Sequence, residues 1–139
     1  MKEFLLHPLD RRRRWIVVAA LLAAAAAHLP VIGEHLMEAR YMGVLFIVLT
    51  AACLLLAAAL ISVDSAAVYA LAVLTCVLAV LGYAATRTFT FPQLADDVGN
   101  WTEPLGIVSI VTESIAAAVA GTVFRAVGRP AAVPVVVQA

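Results

Sequence analysis

Charge is scarce in this sequence. Acidic and basic residues together make up 13% of the chain, against about 25% in soluble domains. Nine Lys and Arg balance nine Asp and Glu, so no global field draws the chain to nucleic acid. Cysteine is nearly absent. Cys53 and Cys76 both sit in apolar runs with no CxxC, and they read as small buried hydrophobes. Glycine and proline are few, at 7 and 6, and they fall at segment ends, which argues against disorder. Nucleotide-binding glycine loops, GxSxG and HExxH are all missing. A membrane enzyme that uses carboxylates would therefore offer no clue to its substrate, and the balance leans away from an enzyme.

What is there is apolar bulk. The chain is 65% hydrophobic over 139 residues, against about 45–50% in soluble domains. A single domain of this size cannot hide so much apolar surface from water, so a bilayer must take over part of the burial. Four runs fit a ~30 Å hydrocarbon layer, at about residues 15–30, 41–62, 66–86 and 104–127. The first follows Arg11 to Arg14 and opens on Trp15, a residue suited to the membrane interface. A competing reading makes Arg11–Arg14 the basic region of a signal peptide, Trp15 to Ala24 its apolar core and Ala25-Ala26-Ala27 its cleavage site. Pro30 and Gly33 are expected to break the first run. Val63-Asp64-Ser65 reads as a tight hairpin, which would bring Cys53 and Cys76 level on the two helices it joins. The fourth run has Thr102 as its expected N-cap with Glu103 and Pro104 in the first turn, and Gly128-Arg129-Pro130 ends it.

The expected fold is all-α, an antiparallel four-helix transmembrane bundle with both termini cytoplasmic and outer polar segments at 31–40 and 87–103. The orientation comes from basic residues. Seven of the nine lie on the side of the termini, and only Arg40 and Arg87 lie opposite. The protein is therefore placed in the plasma membrane as a multi-pass chain, with the lipid bilayer as its first partner. The helix contacts should use small residues, such as Ala116-xxx-Ala120 and Ala117-xxx-Gly121.

The acids and histidines sort to the outer side. Glu34, Glu38, Asp96, Asp97 and Glu103 fall there, with His28 and His35 near them. Glu113 goes deeper, ten residues beyond Glu103 and so about 15 Å down its helix. An ionisable group at that depth faces the bundle interior and is by default a functional residue. Imidazole and carboxylate together suit a divalent or transition metal ion. The candidate cation site, for a metal or a proton, is thus His28, Glu34, His35, Glu38, Asp96, Asp97, Glu103 and Glu113. The spacing is not a specific metal signature, and two histidines near one surface make a thin case for haem. Arg87 is expected to pair with an acid of the Asp96-Asp97 turn. The contrasting reading is an accessory subunit of a larger membrane complex or a homo-oligomer. Small size, missing catalytic motifs and the apolar tail from Ala131 to Ala139 motivate it.

Two segments carry a resemblance. HLPVIGEHLMEARYMGVLF and RTFTFPQLADDVGNWTEPLGIVSIVTE resemble a group of small four-span membrane proteins of actinobacteria. Those proteins share an H…EHL-E-x-x-Y-x-G segment and an R…P…DDVGNW-x-EPLG-x-x-S segment followed by Glu. The likeness covers about His28 to Glu113 and leaves both ends outside. It implies topology and no activity.

Overall fold

The computed structural model describes residues 11–127. The segments before and after, with the apolar tail, lie outside the described residues. Four helices make the fold: α1 (Arg11–Glu38), α2 (Arg40–Ser62), α3 (Ala66–Thr88) and α4 (Pro104–Val127). A single 3-10 turn, Ala95–Asp97, lies between α3 and α4. Among the described residues there is no strand. All four helices are long and apolar enough to cross a membrane.

The helices touch through small side chains. α1 packs on α2 and α4, α4 packs on α1 and α3, and α2 and α3 meet only sparsely. Leu21, Ala24 and Ala25 of α1 meet Cys53, Ala57 and Leu60 of α2, Ala72 and Cys76 of α3, and Ala116 and Ala120 of α4 in one buried cluster. Of the two small-residue pairs expected on α4, Ala116 and Ala120 are buried. A Cβ on Gly121 would make ordinary contact with Val73 of α3, at 3.8 Å. Large apolar residues such as Leu54, Leu55, Leu71, Leu74 and Leu81 point outward. In water they would be a liability, and in lipid they match their solvent.

The first helix departs from the expected break. α1 continues through Pro30 to Glu38, so residues 31–38 are helical and the interruption falls at Ala39 instead. Proline removes one donor, and neighbouring groups inside a bundle tolerate that loss. Ala39 adopts φ −136° and ψ 84°. Its N–H donates to the His35 carbonyl at 2.8 Å, and its own carbonyl accepts from Met42 at 2.8 Å. One buried residue therefore closes α1 and opens α2.

So short a connection forces the two helices together. A Cβ on Gly43 would lie 2.6 Å from Leu36 Cγ and 2.7 Å from the Leu36 backbone nitrogen. The second atom cannot rotate away. Gly43→Ala should therefore destabilise the protein by about 1–3 kcal/mol through overpacking. It should do so although alanine is the better helix former by ~1 kcal/mol. A lowered midpoint in detergent unfolding checks it, and an unchanged or raised midpoint would show that the α1–α2 corner opens easily.

The turn at residues 63–65 forms as expected, with Asp64 at φ 41°. Ser65 caps α3 by accepting from the Val68 N–H. The turn also carries an ion pair that the sequence did not announce. Asp64 is buried, accepts from Tyr69 Oη at 2.8 Å, and lies 3.6 Å from Arg14 of α1.

Candidate functional site

Glu113 sits near the middle of α4 and is 1% exposed. Its neighbour across the helix interface is His28 of α1, also buried, with Nε2 at 3.0 Å from Glu113 Oε1. Ser109, one turn before Glu113 on α4, places its Oγ 3.3 Å from the same nitrogen. The position of α1 explains the meeting. His28 falls four residues after Ala24 on the buried face of that helix, so the alanines that let α1 approach also deliver the imidazole to α4.

Two proton arrangements satisfy this geometry. His28 Nε2–H can donate to an ionised Glu113, or a protonated Glu113 can donate to a bare Nε2. Both keep the acid hydrogen-bonded, which a carboxyl in a low-dielectric core requires. Other groups border the pair. Phe46 of α2 packs on the His28 ring at 5.3 Å and on the His35 ring at 4.8 Å. The thiols of Cys53 and Cys76, both buried and free, belong to the core cluster formed by the same four helices.

A second polar centre sits where α3 meets the 89–103 loop. Arg87 is 7% exposed. It forms ion pairs with Asp97 of the 3-10 turn and with Glu103, the latter at 3.1 Å. Its guanidinium lies 4.7 Å from the Tyr83 ring centroid. Gly106 makes room for the group, since a Cβ there would sit 2.5 Å from Tyr83 Cε2 and 2.9 Å from Glu103 Oε2. Gly99, at φ 81°, turns the loop so that its N–H donates to the Arg87 carbonyl at 2.9 Å. Tyr41 at the start of α2 donates to the Pro92 carbonyl at 2.7 Å and ties the loop down from the other side.

Thr102 is not the helix cap. Ile107 N–H bonds to the Glu103 carbonyl at 3.0 Å, which puts Glu103 at the N-cap position and Pro104 at the first helical residue. The carboxylate of Glu103 is spent on Arg87.

A cavity of about 510 Å³ joins the two centres. His28, Ser109 and Glu113 line it at one end, and Arg87, Asp97 and Glu103 at the other. The wall between them is apolar and comes mostly from α2 and α3.

The eight candidate ligands therefore do not converge on one point. His28 and Glu113 form one pair. Asp97 and Glu103 share Arg87. His35 lies two turns beyond His28 on α1, about 10 Å away along the axis, and its Nδ1 donates to the Val31 carbonyl at 2.8 Å. Glu34, Glu38 and Asp96 are exposed. Among the described residues, no three His, Cys, Asp or Glu side chains are grouped as a metal would need. Sequence reasoning missed Tyr83 and Gly106 as parts of the Arg87 centre, and Phe46 as the ring against both histidines.

No protein-family model, no curated protein and no solved structure matches the chain.

Proposed function

We propose that this chain is a multi-pass protein of the plasma membrane whose His28–Glu113 pair is a proton site at the inner end of an outward-facing cavity. In this reading the helices run antiparallel, the basic residues hold both termini in the cytoplasm, and the 89–103 loop caps the outer face. The likeness to the four-span actinobacterial proteins fits that topology. The observation that carries the reading is the 3.0 Å contact between two nearly fully buried titratable groups that border a cavity. A proton suits the pair better than a metal. An ion there would find one imidazole, one carboxylate and a hydroxyl, short of the ligand sets that hold zinc or its neighbours.

The groups facing the pair set its surroundings. His28 reaches Glu113 from α1 and Phe46 packs on the imidazole from α2, while Arg87, Asp97 and Glu103 pair with one another where α3 meets the loop.

Infrared difference spectra of the purified protein, taken between acid and alkaline pH, test the proposal. A carboxyl band should titrate, vanish in Glu113→Gln, and change its midpoint in His28→Gln. Spectra in which no titrating carboxyl band depends on Glu113 would overturn it.

A further inference from the structure

The cavity is far larger than a proton site needs. About 510 Å³ falls in the range of small-molecule pockets, roughly 300–1,000 Å³, whereas a water molecule takes up about 30 Å³ of liquid. Its walls are Leu45, Phe46 and Leu49 of α2 and Leu78 and Ala79 of α3, which hold water poorly. It lies along the seam where α2 and α3 meet only sparsely, the one helix pair through which a bilayer-dissolved molecule could pass without parting a tight interface.

Its charges are lopsided. Three carboxylates, Asp97, Glu103 and Glu113, line the cavity with one guanidinium, Arg87, and two imidazoles, His28 and His35. The rings of Phe46 and Phe91 also line it, and aromatic faces attract cations, as Tyr83 already does with Arg87. Once Glu113 is ionised beside a neutral His28, the three acids outnumber Arg87, and this net negative lining favours a cationic guest over an anionic or a neutral one.

We infer that the cavity takes a lipophilic organic cation, a charge spread over an apolar body as in an aryl phosphonium or a hydrophobic quaternary ammonium. The inference rests on the proton reading of His28–Glu113 and names what the proton is exchanged for. With one exchangeable proton, the pair is neutral overall, as imidazolium with carboxylate or as imidazole with carboxylic acid. When the cation enters, that proton leaves to solvent. Neutral imidazole, carboxylate and cation then remain, so the net charge of the apolar interior is unchanged. One cation enters for one proton released.

The groups that face Glu113 are compatible with this count. His28 holds the exchangeable proton with it, and the thiols of Cys53 and Cys76 are neutral hydrophobes in the core. His35 lines the cavity but is two turns from the pair. Arg87 keeps Asp97 and Glu103 paired at the far end.

The test is calorimetric titration of tetraphenylphosphonium into the full chain in lipid nanodiscs, with empty nanodiscs subtracted. Tetraphenylborate, of matching shape and opposite charge, and neutral triphenylphosphine oxide are the controls. Saturable one-to-one binding of the phosphonium alone is expected. Its affinity should rise about tenfold for each unit of rising pH, and fall as much for each unit of falling pH, where one proton is exchanged. About one proton should be released per cation, measured by repeating the titration in buffers of different ionisation enthalpy. Ala79→Phe, which fills the cavity without touching the pair, should abolish binding and leave the carboxyl band titrating. Glu113→Gln should abolish both. Equal binding of the borate or the oxide, or phosphonium binding that ignores pH or survives Glu113→Gln, would overturn the inference. A titrating Glu113 band with no phosphonium binding would overturn the inference alone and leave the proton site standing. Loss of the band in the native chain would overturn the proton site itself.

Discussion

Replacing His28 with leucine should cost the protein about 3 kcal/mol or more in stability. Glu113→Gln should cost only about 1 kcal/mol. The asymmetry follows from what each change leaves behind. Without the imidazole, Glu113 is a carboxyl at 1% exposure that has lost its hydrogen-bond partner, and Ser109 has lost the same ring. Removing one member of a buried pair strands the other and typically costs ~3–5 kcal/mol. Glutamine keeps the shape and can still hydrogen-bond His28 Nε2, so only the charge-assisted part is lost. The double change to leucine at both positions should be milder than His28→Leu, because an apolar pair of similar volume is often neutral or stabilising in place of a buried ion pair. Reversible unfolding in mixed detergent micelles, run as a double-mutant cycle, measures all three. The competing expectation is small. Side-chain hydrogen bonds inside membrane bundles average ~0.6 kcal/mol. If His28→Leu costs no more than that, the pair is an ordinary hydrogen bond and stores no charge, and the proton site fails with it.

Glu113 was legible in the sequence because depth in a helix is only counting. Its partner was not. His28 could be placed near the outer end of the first run, but α1 is apolar all round from Trp15 to Ala27, and such a helix shows no face from which its rotation can be read. The same blindness hid the continuation past Pro30. Proline and glycine are the strongest local breakers, yet packing against α2 carries the helix on to Glu38, and the break falls at an alanine with no local signal. That shift matters for the candidate site. Glu34, Glu38 and Tyr41 share a face only if one helix spans them. With the break at Ala39, Glu34 and Glu38 stay on α1 and face out, while Tyr41 belongs to α2 and reaches the Pro92 carbonyl. Arg87 fared better. A basic residue facing a loop rich in acids has few other partners, and Asp97 is one of its two. Asp64 shows the opposite limit. The turn around it was plain from three residues, whereas its contact with Arg14 spans half a hundred positions that no local pattern connects.

Arg87→Leu should loosen the 89–103 loop before it loosens the bundle. The guanidinium is the one cation that Asp97 and Glu103 share, and it also covers the Tyr83 ring. Its loss brings two half-buried carboxylates together with nothing between them, at a cost on the order of 2–3 kcal/mol, below the fully buried range because both acids reach solvent. The backbone bond from Gly99 to the residue-87 carbonyl and the Tyr41 bond to Pro92 survive the substitution, so the loop should open locally and not detach. Amide hydrogen exchange is the discriminating measurement. Protection should fall across the loop and the first turn of α4 while the middle of α4 stays protected. Arg87→Lys should rescue little of it, because a point charge cannot serve two carboxylates and a ring face in one geometry. Adding Asp97→Asn to Arg87→Leu should recover part of the protection by removing the like-charge contact. Unchanged loop exchange in Arg87→Leu would put these pairs in the class of exposed ion pairs worth ~1 kcal/mol or less. The same protein probes the link between the two polar centres. Arg87 lies at one end of the cavity and Glu113 at the other, so if they act independently, the carboxyl band of Glu113 should titrate in Arg87→Leu as it does in the native chain. A displaced midpoint would show that the loop centre's charge reaches the buried pair through the cavity.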